Sequence, residues 1–142
     1  MNLRTPFLPF ALLWLAASCP AAEEPPRTIW DGVFSAAQAA RGQKAYVTEC
    51  ARCHGDKLEG GKEDSPPLVA EPFFKEWNGK TVGRLVDVTR RTMPPETAGT
   101  MSRPLTLDLV AYLLSANGYP AGSKDLPNDS AALREITIEP KK

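Results

Sequence analysis

Cys50, Cys53 and His54 stand together in "ECARCHGDKLEGG", residues 49–61, and they include two of the chain's three cysteines and its only histidine. Two thiols a helical turn apart, with an imidazole directly after the second, suit three chemistries. They could hold structural zinc, cycle between dithiol and disulfide, or carry a haem through thioether bonds. The rest of the sequence separates the three.

Structural zinc takes four protein ligands. Beyond Cys19, which lies in an N-terminal segment that reads as a cleaved signal, the chain offers no further Cys or His. Adjacent Cys53 and His54 also cannot readily turn toward one tetrahedral centre. A redox dithiol belongs after a strand and at the start of a helix, where the dipole lowers the first thiol's pKa. Here the preceding run "SAAQAARGQKAYVTEC" is helical, opening with Ser35 and Gln38 at capping-box spacing. The cysteines are therefore expected at a helix C-terminus, the wrong end. C-x-x-C-H is the haem attachment signature. Its spacing matches two vinyl groups to two thiols and carries the next residue, His54, toward the iron. This is the reading the motif favours.

A single histidine excludes bis-histidine ligation within one chain, so the sixth position falls to a methionine, a lysine or an open site. With Met1 in the signal, the methionines are Met93 and Met101. Met93 lies in "RRTMPPETAG", where Pro94 biases it away from helical geometry and Pro94–Pro95 stiffen the strap. Such a strap suits holding a thioether over a metal. Met101 directly precedes the helix start "SRPLTLDLVAYLL", where a large apolar residue more often packs into a core. Met93 is the expected ligand and Met101 the alternative.

The elements that must position these residues are helical. In the last helix Leu105, Leu109, Tyr112, Leu113 and Ala116 make an apolar stripe, with Ser102 as N-cap and Asn117–Gly118 as the stop. "TVGRLVDVTRR" places Val82, Leu85, Val86 and Thr89 on one face after Thr81. "PFFKEW", residues 72–77, predicts a short helical turn bringing Phe73, Phe74 and Trp77 inward. Nothing alternates as a strand and no repeat is visible. The expectation is an all-α domain, residues 35–120, of three to four helices around one covalently attached haem. A core this small commonly needs a staple, so the apo-chain should be largely unfolded.

The flanks are read separately. Residues 1–22, "MNLRTPFLPFALLWLAASCPAA", combine Arg4, an apolar run from Phe7 to Ala17 and small residues, the pattern of a signal peptide for export. The run is too short to span a bilayer, which takes roughly 20 residues. Cleavage is expected after Ala21 or Ala22; "LAASC" alternatively suits lipidation of Cys19, which would give membrane contact. Residues 23–34 read as a linker. Residues 121–142, with Leu126, Leu133, Ile136 and Ile138 among polar neighbours, read as an extension wrapping the surface. The chain's 142 residues carry 17 basic and 17 acidic side chains. Loss of Arg4 leaves 16 basic against 17 acidic, without the concentrated basic face that nucleic acid requires.

Taken in order, further motifs carry a resemblance: Trp30 to Phe34, Gln38 to Gly42, Cys50 to Gly55, Leu58 to Gly61, Pro66 to Leu68, Met93–Pro94, Met101–Ser102, Ala111 to Leu114 and Ala116 to Gly122. With these the chain resembles the class I c-type cytochromes, and more narrowly the bacterial periplasmic monohaem cytochromes c. The resemblance implies that Gly42 and Tyr46 on the first helix cross Leu109 and Tyr112 on the last. It implies that the Pro66 carbonyl accepts the second ring N–H of His54, and that Trp77 reaches a haem propionate. It favours Met93 over Met101, a position often leucine in relatives. Glu71–Pro72 depart from the family pattern, in which glycine often stands there.

The function implied is single-electron transfer in the periplasm by a monomeric carrier with one haem c, not an enzyme in itself. Redox partner proteins such as a quinoprotein dehydrogenase or a terminal oxidase are implied. Two other readings stay open: a haem-bearing subunit of a membrane-bound or quinoprotein dehydrogenase or oxidase complex, and a catalytic haem protein with a labile sixth ligand. Lys57, Lys62, Lys75 and Lys80 are candidates to line the haem edge, although solvated surface is the simpler account of them.

Overall fold

The computed structural model describes Met1, residues 27–61 and residues 65–140. Residues 2–26, which include Cys19 and nearly all of the segment expected to be a signal, lie outside the described residues, as do residues 62–64 and the terminal Lys141–Lys142. Six α-helices appear in the described residues: α1 (Ala36–Glu49), α2 (Ala51–His54), α3 (Ala70–Trp77), α4 (Val82–Thr92), α5 (Arg103–Ala116) and α6 (Ser130–Arg134). Single 3-10 turns stand at Ile29–Asp31 and Pro95–Thr97, and no strand forms among the described residues. The architecture is all-α, with α1, α3, α4 and α5 as the principal helices and α2 and α6 as short turns.

Side-chain caps start three of these helices where the sequence places them. Ser35, Thr81 and Ser102 each accept a hydrogen bond from the backbone N–H three residues on, at Gln38, Arg84 and Leu105. The capping box expected at Ser35 is only half present. The Gln38 side chain is buried and accepts instead from the Leu126 N–H at 2.8 Å, 88 residues away. Tertiary packing has redirected a residue whose spacing suggested a local role.

α1 crosses α5 at Gly42. A Cβ there would lie 1.8 Å from the Asp108 carbonyl oxygen and 2.9 Å from Tyr112 Cβ, so only glycine permits this approach. Tyr46 and Tyr112 pack beside the crossing with ring centroids 5.4 Å apart. α5 departs from the single stripe read in the sequence. Thr106, Leu107, Leu109, Val110, Ala111, Leu113 and Leu114 are all buried, whereas Ala116 is exposed. A helix apolar around most of its girth is a central helix. Here α1 and α4 both pack against it.

The flanks are part of the core, which corrects both the linker and the surface-extension readings. Ile29, Val33 and Phe34 are buried, as are Leu126, Leu133, Ile136 and Ile138, and all belong to one hydrophobic cluster. The C-terminal segment lies between two others. Ile29 N–H donates to the Thr137 carbonyl at 2.9 Å and Thr137 N–H to that of Arg27 at 3.1 Å. On the other side Val82 N–H donates to the Ile136 carbonyl and Ile138 N–H to that of Lys80, at 2.9 and 2.8 Å. α6 then presses against α4, where a Cβ on Gly83 would sit 2.9–3.1 Å from Leu133 and Arg134 atoms. Four isolated apolar residues among polar ones made a weak periodic signal, yet each finds the core because the chain turns between them.

Candidate functional site

The site draws on the turn between α1 and α2, the loop after it, α3, the end of α4 and one side of α5. Cys50 caps the end of α1 and begins α2, so Cys53 and His54 follow on one helical turn. Cys53 and His54 N–H both donate to the Cys50 carbonyl, at 3.1 and 3.0 Å, which fixes the turn tightly. The chain then reverses at Gly55, whose carbonyl accepts from the Tyr46 hydroxyl at 2.7 Å. Burial pushes that hydroxyl's pKa well above the ordinary tyrosine value. α1 is thereby tied to the residue that follows the histidine.

The loop that follows passes close to the histidine. His54 is buried, and its Nδ1 lies 2.9 Å from the Pro66 carbonyl oxygen. A carbonyl can only accept, so Nδ1 carries the proton and Nε2 is left as the ring's lone-pair donor. This tautomer is the one a metal-binding imidazole needs, with its second N–H oriented by a backbone carbonyl. Three further backbone bonds hold the loop: Gly60 N–H to the His54 carbonyl at 2.7 Å, Gly61 N–H to that of Ser65 at 3.2 Å, and Leu68 N–H to that of Leu58 at 2.8 Å.

A cavity of about 1070 Å³ opens against these residues. It reaches the upper end of the roughly 300–1,000 Å³ range of ligand and cofactor sites. Cys50, Cys53, His54 and Pro66 line it together with Met93. Leu68, Phe73, Leu85, Leu109 and Leu113 supply apolar wall, and Trp77, with Lys80 Nζ 5.3 Å from its ring centroid, lies on the same cavity. Met93 caps α4 in extended geometry, φ −122° and ψ 143°, so the helix ends where its side chain meets the cavity. Met101 is elsewhere: it is buried in the hydrophobic cluster and does not line the cavity. The structure therefore gathers Cys50, Cys53, His54, Pro66, Trp77 and Met93 at one cavity and leaves Met101 in the core.

The electrostatics speak against the two competing chemistries. Burial, followed by the nearby Glu49 and Cys53, pushes the Cys50 thiol up to about 11, where a redox-active thiol would be lowered. Among the described residues no group of three or more His, Cys, Asp or Glu side chains could hold a bare metal ion. A planar macrocycle carried by two thioethers fits the donor set and the cavity. Cys50 and Cys53 are unpaired thiols, and His54 presents one free ring nitrogen.

Charged residues surround the apolar wall. Glu49, Glu71, Glu76 and Glu96 line the cavity with Arg52 and Lys75. Arg52 on α2 pairs with Glu96 in the turn after Met93, and Lys80 pairs with Glu76. Of the lysines considered from sequence, Lys75 lines the cavity, Lys80 is held by Glu76, and Lys57 is exposed. Sequence reasoning missed the apolar wall as a wall, and it missed Asn117, read only as a helix stop. Asn117 is buried and bonded to the 66–70 segment. An asparagine before glycine is too common a helix end to signal that second role.

Comparison with known proteins agrees with this geometry. The family model described as cytochrome C oxidase, cbb3-type, subunit III, matches residues 37–113, more than half the chain. The crystal structure of the sulfane dehydrogenase SoxCD from Paracoccus pantotrophus contains a similar chain, at 25% identity and a TM-score of 0.50. The alignment covers 76% of this chain and 61% of that one, so this chain spans about three fifths of its length. None of the curated proteins matches in sequence.

Proposed function

The chain belongs to this family and is a class I c-type cytochrome, and on that premise we propose that it is a periplasmic carrier of single electrons. The observation that carries the reading is the shared cavity: the thiols of Cys50 and Cys53, His54 and the Met93 thioether all border one apolar space. When bound there, a haem supplies an iron that gains and loses one electron without a coupled proton or a substrate bond.

The residues of the chain have separate tasks. Cys50 and Cys53 tether the ring covalently. His54 offers Nε2 to the metal while Pro66 holds its other nitrogen. Met93 offers a soft thioether, which favours the ferrous state and raises the potential. The apolar wall of Leu68, Phe73, Leu85, Leu109 and Leu113 keeps water from the metal. With His54 and Met93 both available to the metal, the chain would leave it no vacant site for a substrate. Export rests on the composition of residues 1–22 and is part of the proposal.

A second reading is a haem-bearing subunit or dedicated partner of a dehydrogenase, favoured by the likeness to a chain of SoxCD. The experiment is expression with export, followed by intact mass, visible spectra and native purification. The proposal expects the mature chain plus one porphyrin, a sulfur-to-iron absorption band in the ferric state and a freely monomeric fraction. A colourless protein of bare-chain mass overturns it. Rapid binding of cyanide or carbon monoxide overturns the closed sixth site, and stable co-purification with a large dehydrogenase replaces the mobile carrier with the subunit.

A further inference from the structure

Asn117 follows the last residue of α5, and the structure gives it more partners than a helix stop needs. It is 6% exposed. Its Nδ2 donates to the Leu68 carbonyl at 2.9 Å and to the Leu113 carbonyl at 2.8 Å. Its Oδ1 accepts from the Ala70 N–H at 3.0 Å. Both amide protons and one lone pair are used, and the orientation is determined: a flipped amide would set oxygen against two carbonyls.

We infer that Asn117 is a positioning residue for the histidine ligand, acting through the 66–70 segment. This rests on the haem reading above. The amide grips the backbone at Leu68 and Ala70, two and four residues beyond the Pro66 carbonyl that accepts from His54 Nδ1. Its own anchor is α5, the buried central helix. Ala70, held by that grip, sits at φ +61°, a conformation a residue with a Cβ seldom adopts without such support. A chain of contacts thus runs from α5 through Asn117 and the Leu68–Ala70 backbone to Pro66, and from there to the imidazole.

The chemistry of the amide is specific. Aspartate at the same place would keep the Ala70 bond and set carboxylate oxygen against two carbonyls. Alanine would leave the Leu68 carbonyl and the Ala70 N–H without their partner, in a site where unpaired polar groups are costly. In either case the Pro66 carbonyl is freed to drift from Nδ1. A weaker bond makes the imidazole a poorer donor, which disfavours the ferric state and raises the potential.

The test uses the exported, haem-loaded protein with Asn117→Ala, the same-shaped Asn117→Asp, and Leu133→Ala as a core-destabilised control on α6. Two quantities are read: solvent exchange of the His54 Nδ1 proton by NMR of the reduced protein, and the midpoint potential. We expect both Asn117 variants to exchange that proton faster than the control does. Asn117→Ala should also shift the potential upward, while Leu133→Ala lowers thermal stability and moves neither quantity. If one Asn117 variant fails to fold, the other decides. Loaded variants whose exchange and potential match the control overturn the role of Asn117 alone. A wild-type chain with no porphyrin overturns the haem reading itself.

Discussion

At the scale of single residues, the two methionines show how composition and position divide the work. Both have the chemistry to bind iron through sulfur, and nothing in the side chain tells them apart. What separates them is surroundings: Met93 ends α4 on the cavity, whereas Met101 is buried among apolar neighbours. Met93→Ala should abolish the sulfur-to-iron band and open the sixth position to cyanide, with little loss of folding stability. Met101→Ala should leave the band intact and cost about 2–5 kcal/mol, as large-to-small core changes do. Absorption spectra and thermal melts of the two variants decide it, and loss of the band in Met101→Ala alone would reverse the assignment. His54 was legible at once because a lone histidine beside C-x-x-C has one common use. The Pro66 contact came through family resemblance, since a carbonyl twelve residues away has no sequence signature.

At the scale of elements, the crossing of α1 and α5 sets the frame on which the site is hung. α1 ends in Cys50, and α5 contributes Leu109 and Leu113 to the cavity wall. Gly42→Ala should drive the helices apart, because the added Cβ meets a backbone oxygen that cannot rotate away. A loss of about 3 kcal/mol or more is expected in a chemical melt. The same crossing has a charged clasp. Arg41 pairs with Asp108 and Asp125, at 2.9 and 2.7 Å, and Ser35 donates to Asp125. The Ser35 hydroxyl, and then Arg41, hold the Asp125 carboxylate below its ordinary value of 3.8. A carboxylate depressed on folding stabilises at pH above the unfolded value and loses that contribution as pH falls through the folded one. Asp125→Asn should therefore flatten the decline in stability below about pH 4. The effect should be small, because the clasp is largely exposed and salt-screened. Melting temperatures from pH 2 to 6 in both proteins test this, and parallel curves would count against the clasp.

At the scale of the whole molecule, the ends of the chain close the fold. Residues 27–34 and 121–140 contribute side chains to the same cluster as the helices, and the C-terminal segment holds the start of α4. Burial of Leu126, Leu133, Ile136 and Ile138 contributes roughly 6–12 kcal/mol at about 1.5–3 each. That is comparable with the entire stability of an ordinary domain, about 5–15 kcal/mol. A chain ending at Pro120 should lose its cooperative melt even with a haem attached. A truncated protein with an unchanged melting temperature would show that the extension lies on the surface after all.

The C-x-x-C-H turn, the helix starts at Ser35, Thr81 and Ser102, and the candidate ligands could be read from sequence alone. Each depends on residues within a few positions of one another, and local geometry is fixed by local spacing. What the tertiary structure decided was everything that joins distant positions. It turned Gln38 from a local cap to Leu126, and it buried α5 around most of its girth rather than along one stripe. It drew the terminal segments into the core and gave Asn117 the 66–70 backbone to hold. Hydrophobic burial and hydrogen-bond satisfaction are properties of the whole packed chain. A residue's periodicity shows what it is able to do, and its partners exist only once the chain has closed around it.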